Sequence, residues 1–160
     1  MASTHKKVIV RKLDRDAVNG FVAAGSFIVD GRLELLNTAG NVVQMDLREV
    51  KGVYFVREFT DNEALMRKTF ATRPRVEGLW VKLRFKDNEV IEGLMANDLT
   101  QIGTEGVFIN PPDARSNTQR VFIPRTSLAE LSVIAVIGTG SRKRKPPASE
   151  PAQPALFGEM

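Results

Sequence analysis

The chain repeats itself, and this limits its fold more than any other feature. When VIVRKLDRDAVNGFV (8–22) is laid over VKLRFKDNEVIEGLM (81–95), Val8, Val10, Arg11, Asp14, Val18 and Gly20 meet Val81, Leu83, Arg84, Asp87, Ile91 and Gly93. Each segment alternates apolar and polar residues, passes polar turn formers (13–16 and 86–89) and resumes an apolar run up to its glycine, which is a β-hairpin pattern. A second pair, VVQMDLREVKGVYFV (42–56) and RVFIPRTSLAELSVI (120–134), also coincides, each segment ending one strand, turning briefly and opening another. Such self-similarity points to two copies of one supersecondary unit.

Between these blocks, GRLELLNTAGNV (31–42) reads as strand, Asn/Gly turn, strand, and GVFINPPDARSNTQRVFI (106–123) as strand, long polar loop, strand. Each half then offers about five short strands of roughly five residues, the dimensions of a small β-barrel, whose closure hides sheet edges. Between the halves, Thr60 followed by Glu63 forms a capping box ahead of Ala64, Leu65 and Met66. A short helix is expected over 61–70, ending before Pro74, which disfavours helix at Arg73. The expected fold is mostly β: barrel one over 8–57, a helix and basic linker over 58–75, barrel two over 76–137, and a tail over 138–160.

A helix followed by a five-stranded unit whose first hairpin reads V-x-L-x-F-x-x-x-x-x-x-x-G-x-M resembles the Sm-like family of SH3-like small barrels, including its bacterial RNA-chaperone branch. The segment VFIPRTSLAEL resembles that family's fourth strand, tight turn and fifth strand, with Arg125 at the usual basic position. The branch's RNA-binding signature, an aromatic, a lysine and a histidine in a row, is replaced by Pro124, Arg125 and Thr126 in the second half and by Asp46, Leu47 and Arg48 in the first. What the resemblance implies for RNA contact therefore falls on Arg125 and Arg48. The stretch GVFINPPDARSNTQRVFIPR (106–125) also resembles an uncharacterised bacterial domain that accompanies signalling modules, which implies an interaction role.

Composition narrows the chemistry. With no cysteine in 160 residues, disulfides, thiolate zinc sites and cysteine nucleophiles are excluded. The single histidine, His5, stands in a polar N-terminal stretch without sequence partners for catalysis or metal binding. The carboxylate pairs Asp14 with Asp16 and Asp87 with Glu89 fall on hairpin turns, where turn formation explains them without acid–base work. There is no phosphate-loop, nucleophile-elbow or zinc-protease motif. The expectation is a binding protein without enzymatic activity, cofactor or metal. No run of about 18 apolar residues is present, and the start MASTHKKVIV lacks a secretory apolar stretch, so a cytoplasmic, non-membrane address is expected.

Two binding hypotheses follow from where the basic residues sit. Arg142, Lys143, Arg144 and Lys145 stand against only Glu150 and Glu159, so about half of the net charge of +4 lies in a proline-rich, apolar-poor tail expected to be disordered. The first hypothesis is RNA or single-stranded DNA binding, with phosphates contacted by Arg48, Arg73, Arg75, Arg115, Arg120, Arg125 and the tail cluster. Arg67 and Lys68 add charge near Trp80, although Trp80 leads into an apolar strand and packing is the favoured reading for it. The second hypothesis is a protein-interaction adaptor. It would use the polar loop 111–120, whose Asp113 and Asn117 could equally fix turns, together with a docking peptide at Gln153, Leu156 and Phe157 that resembles the sliding-clamp motif. Barrel edge strands also offer a route to a homo-oligomer.

Overall fold

The computed structural model describes residues 5–23, 25–59, 67–98, 100, 102–113 and 117–138. They are mostly β. The first half of the chain forms β1 (His5–Lys12), β2 (Ala17–Ala23), β3 (Ile28–Val29), β4 (Arg32–Asn37), β5 (Val42–Asp46) and β6 (Val50–Val56). The second forms β7 (Gly78–Phe85), β8 (Val90–Met95), β9 (Gly106–Ile109), β10 (Thr118–Pro124) and β11 (Leu128–Ile137). The 3-10 turns Leu47–Glu49 and Arg125–Ser127 link β5 to β6 and β10 to β11 at matching places in the repeat.

The repeat read in the sequence is a repeat of register. Val8 faces Gly20 across β1–β2 as Val81 faces Gly93 across β7–β8. Both hairpin turns close with the same bonds, Lys12 N–H to the Asp16 carbonyl and Phe85 N–H to the Glu89 carbonyl, each 2.8 Å. Arg15 and Asn88 occupy the same left-handed position, at φ 77° and 73°. Asp14 and Asp87 each accept the backbone N–H two residues on, at 3.0 Å, so these carboxylates fix turns. The shared glycines permit close strand approach. A Cβ on Gly20 would stand 2.7 Å from Leu35 Cδ1, and one on Gly93 2.8 Å from Ile109 Cδ1.

Strand order is also repeated. The first half runs β6–β1–β2–β4–β5, with β3 added beside β4. The second runs β11–β7–β8, and a single Leu94–Asn110 bridge carries β8 to β9, which pairs β10. The ladders do not close into barrels as the sequence suggested. Instead β6 pairs β1 on one edge and β10 on the other, fusing the halves into an eight-stranded sheet beside a three-stranded one.

The fusion follows from residue pattern. β1, β6 and β10 carry unbroken apolar runs, and since successive side chains point to opposite faces, both faces must be buried. Val8, Val10, Val53, Phe55 and Phe122 enter one core with Val22, Leu33 and Leu35. Ile9, Tyr54, Val56, Val121 and Ile123 enter the other with Val81, Leu83, Phe85 and Ile91. Each such side chain contributes roughly 1.5–3 kcal/mol on burial, which makes the joint as strongly apolar as either core.

A polar staple crosses the joint nearby. The Lys51 ammonium, from β6, reaches Asp87 at 2.6 Å and also Glu89 in the second hairpin turn, and lies 4.8 Å from the Phe85 ring centroid. Lys68 meets Glu89 from the other side at 2.7 Å. Burial raises the pKa of Glu89, but the hydrogen bonds from Lys51 and Lys68 outweigh it and hold the carboxyl below its ordinary range. Asp87 is lowered by the same competition, with Lys51 the main opponent of burial. The buried Ser127 hydroxyl donates to the Lys51 carbonyl at 2.9 Å, tying the second 3-10 turn to the same place.

The helix expected over 61–70 is not continued at its C-terminal end. Residues 61–66 lie outside the described residues, while 67–70 are non-helical. There the Lys68 carbonyl accepts Glu92 N–H at 2.7 Å and Phe70 N–H donates to the Glu92 carboxylate at 3.0 Å. Backbone groups that a helix would use internally are committed to β8.

Candidate nucleic-acid interface

The candidate arginines divide between two clefts. Arg48 and Arg125, one from each 3-10 turn, line a cleft of about 500 Å³. The turns are tied by Thr126 Oγ1 donating to the Leu47 carbonyl at 3.3 Å, and Arg125 N–H donates to the carbonyl of Glu105, ahead of β9, at 2.9 Å. The repeat therefore brings its equivalent turns together. The charge does not follow, because Asp30, Asp46 and Glu105 line the same cleft. Arg48 is engaged with Asp46 at 2.7 Å, and its side-chain hydrogen bond holds the Asp46 carboxyl at about 2. Two cations against three carboxylates do not make an anion site.

Arg73 and Arg75 join Arg67 around a second cleft, of about 700 Å³, between the interlobe segment and the strand ends at Leu94 and Asn110. Among the residues lining it, Asp113 is the one carboxylate. All three arginines are exposed, and none has an ion pair among the described residues. Buried Pro74 anchors the segment between Arg73 and Arg75. Phe70 forms part of the wall and packs edge-on against Trp80, with ring centroids 5.9 Å apart. One Glu92 carboxylate oxygen accepts both Trp80 Nε1–H and Phe70 N–H, each at 3.0 Å, and so fixes the aromatic wall. Trp80 is thus a packing residue, and Phe70 is the aromatic that lines the cleft. Neither Phe70 nor Glu92 stood out in the sequence, since only the folded chain brings them beside the arginines.

Arg120 lies elsewhere. Its guanidinium sits 3.8 Å from the Phe108 ring centroid and 5.7 Å from that of Phe55, and burial lowers its pKa. Its charge is spent largely on ring faces at the β6–β10 joint. Asn117 clamps backbone: its Oδ1 accepts Glu58 N–H and its Nδ2 donates to the Glu58 carbonyl, both at 2.8 Å. This is a clamp across the fold, from the start of β10 to the segment after β6, and not the local turn considered for it. Arg115, Arg142, Lys143, Arg144, Lys145, Gln153, Leu156 and Phe157 lie outside the described residues.

No cluster of three or more His, Cys, Asp or Glu side chains is arranged to hold a metal among the described residues, and no helix among them is long and apolar enough to cross a membrane. No curated protein and no solved structure gives a match to this chain. A family model does match, over residues 4–135, which takes in both halves of the repeat. The chain therefore belongs to a family of unknown function, DUF6982.

Proposed function

We propose that this protein is a non-enzymatic, cytoplasmic binding module built from two Sm-like small-barrel units, and that its arginine-lined cleft holds the backbone of single-stranded RNA or DNA. The observation that carries the reading is the set Arg67, Arg73 and Arg75. Their three guanidinium groups lack carboxylate partners among the described residues and flank the ring of Phe70 around one cleft. Phosphates supply the missing counter-charge, and a base can stack on an aromatic wall, a combination that tolerates any sequence. The same strand order in both halves supports the Sm-like reading of the units.

The test is fluorescence anisotropy with labelled oligouridylate and oligothymidylate over a salt series, using the full chain. Three phosphates neutralised on a single strand give a log–log salt slope near about −2, from roughly −0.7 per contact. Arg73→Ala with Arg75→Ala should weaken binding and flatten the slope by about 1.4. If replacing Arg142 to Lys145 with glutamine abolishes binding while the cleft variants leave it intact, the folded body is not the nucleic-acid surface.

An adaptor role is the second reading. The apolar strip of Val133, Ile134 and Val136 on the outside of β11 favours a protein contact there.

A further inference from the structure

The two 3-10 turns meet in a cleft whose charges are only partly used. Leu47 N–H donates to the Gly31 carbonyl at 3.1 Å, and its repeat equivalent, Arg125 N–H, donates to the Glu105 carbonyl at 2.9 Å. Each turn is thus held by the residue just ahead of the matching strand, β4 or β9. The Thr126–Leu47 hydrogen bond then sets the two assemblies against each other around a space of about 500 Å³.

The backbones match, but the charges do not. In the first half Asp46 and Arg48 neutralise each other at 2.7 Å. Their equivalents are Pro124 and Thr126, so the second turn has no carboxylate of its own to hold Arg125. Arg125, Asp30 and Glu105 are exposed, and none of them forms an ion pair among the described residues. The Arg125 and Glu105 side chains do not pair even though a hydrogen bond joins their backbones. The cleft therefore offers one guanidinium and two carboxylates, around Leu47, the one wholly apolar side chain of its lining. Opposite charges held apart in one cleft call for a ligand of one anion and two cations.

We infer that this cleft binds a free basic α-amino acid, arginine or lysine, whose carboxylate meets Arg125 and whose ammonium and side-chain cation meet Asp30 and Glu105. The charges match one for one at neutral pH. The guanidinium fork of Arg125 suits the two oxygens of a carboxylate, and a methylene stem lies on Leu47. An acidic amino acid has the signs reversed, and a phosphate meets a lining with net negative charge. The volume falls within the range of small-ligand sites. Because Asp30 belongs to the first half and Arg125 and Glu105 to the second, the bound amino acid bridges the halves and stabilises their joint.

Titration of the isotope-labelled full chain with L-arginine and L-lysine at low ionic strength, followed by amide chemical shifts, tests this. Saturable shifts are expected at Leu47, Arg48, Glu105 and Thr126, with a dissociation constant on the order of 1 mM for ligands of this size. Removing one ligand group at a time should weaken binding about fivefold or more in each case: the carboxylate in argininamide, the ammonium in N-acetylarginine and the side-chain cation in norleucine. Arg125→Ala should weaken arginine by a similar factor and leave argininamide unchanged, which ties the carboxylate to that residue. Glu105→Gln should weaken arginine and N-acetylarginine or argininamide, with shifts outside the cleft unaltered. The ligand series uses the wild type alone, so it decides the matter whatever the substitutions do to the fold. Absence of saturable shifts up to roughly 20 mM overturns the inference. So does argininamide binding as tightly as arginine, which would mean that the carboxylates merely attract cations, or arginine binding that Arg125→Ala does not change.

Discussion

Replacing Lys51 with methionine tests whether the two halves are joined electrostatically as well as by their cores. The substitution keeps the aliphatic stem over Phe85 and deletes the ammonium that meets Asp87 and Glu89. Breaking a fully buried pair costs about 3–5 kcal/mol and an exposed one about 0–1. This cluster lies between, since the Lys51 side chain is 13% exposed whereas that of Asp87 is 37% exposed. In the variant Lys68 still serves Glu89, while Asp87 loses its ion pair with Lys51 and keeps the Glu89 backbone N–H. A loss of about 2 kcal/mol at neutral pH is expected, or a fall of roughly 1 M in the urea midpoint at an unchanged slope near 2 kcal/mol/M. Both carboxyls are depressed in the folded state, so their contribution is present above their unfolded values of 3.8 and 4.5 and is lost as pH falls through the lower folded values. Wild type and variant should therefore converge in acid. Urea titrations followed by circular dichroism at about pH 7 and about pH 2.5 measure both differences. Equal destabilisation at the two pH values would refute the electrostatic reasoning, as would a neutral-pH loss below about 0.5 kcal/mol.

Three other outcomes follow from the same geometry. Arg15→Asn, which copies Asn88 at the equivalent left-handed position, should stabilise the protein by about 0.5 kcal/mol in the same urea assay. Gly93→Ala should destabilise by about 2 kcal/mol, because the new methyl meets Ile109 and the Asn110 carbonyl where β8 approaches β9. Arg120→Ala should cost about 1 kcal/mol of stability through loss of its seat on Phe108 and Phe55, while leaving the salt slope of oligonucleotide binding unchanged.

Local features of the fold were legible in the sequence. The hairpins, their turn carboxylates and the glycines of close approach are written in a few neighbouring residues, and twice over. The β6–β10 pairing was not, since it joins Tyr54 to Val121 and nothing local specifies it. Its signal was nevertheless present in the unbroken runs Val8–Ile9–Val10 and Val121–Phe122–Ile123, which exceed what a one-sided strand of a small barrel needs. The capping box at Thr60 misled over 67–70 because Glu92, a tertiary neighbour, claims the backbone there. At the candidate interface, the clustering of arginines around residue 70 was visible from spacing. The acidic company of Arg48 and Arg125 was not, because Asp30 and Glu105 come from distant loops.

The double pairing of β6 has a bearing on how the protein is made. During synthesis the first half can assemble β1 to β6 while β10, which begins only at Thr118, has yet to emerge. Until it does, Val53, Tyr54, Phe55 and Val56 present a bare apolar edge, the kind of surface on which nascent chains stick to one another. A message truncated between the halves would therefore yield a fragment that aggregates, and the time spent translating the interlobe segment and β7 to β9 is the time for which that edge needs a chaperone's cover.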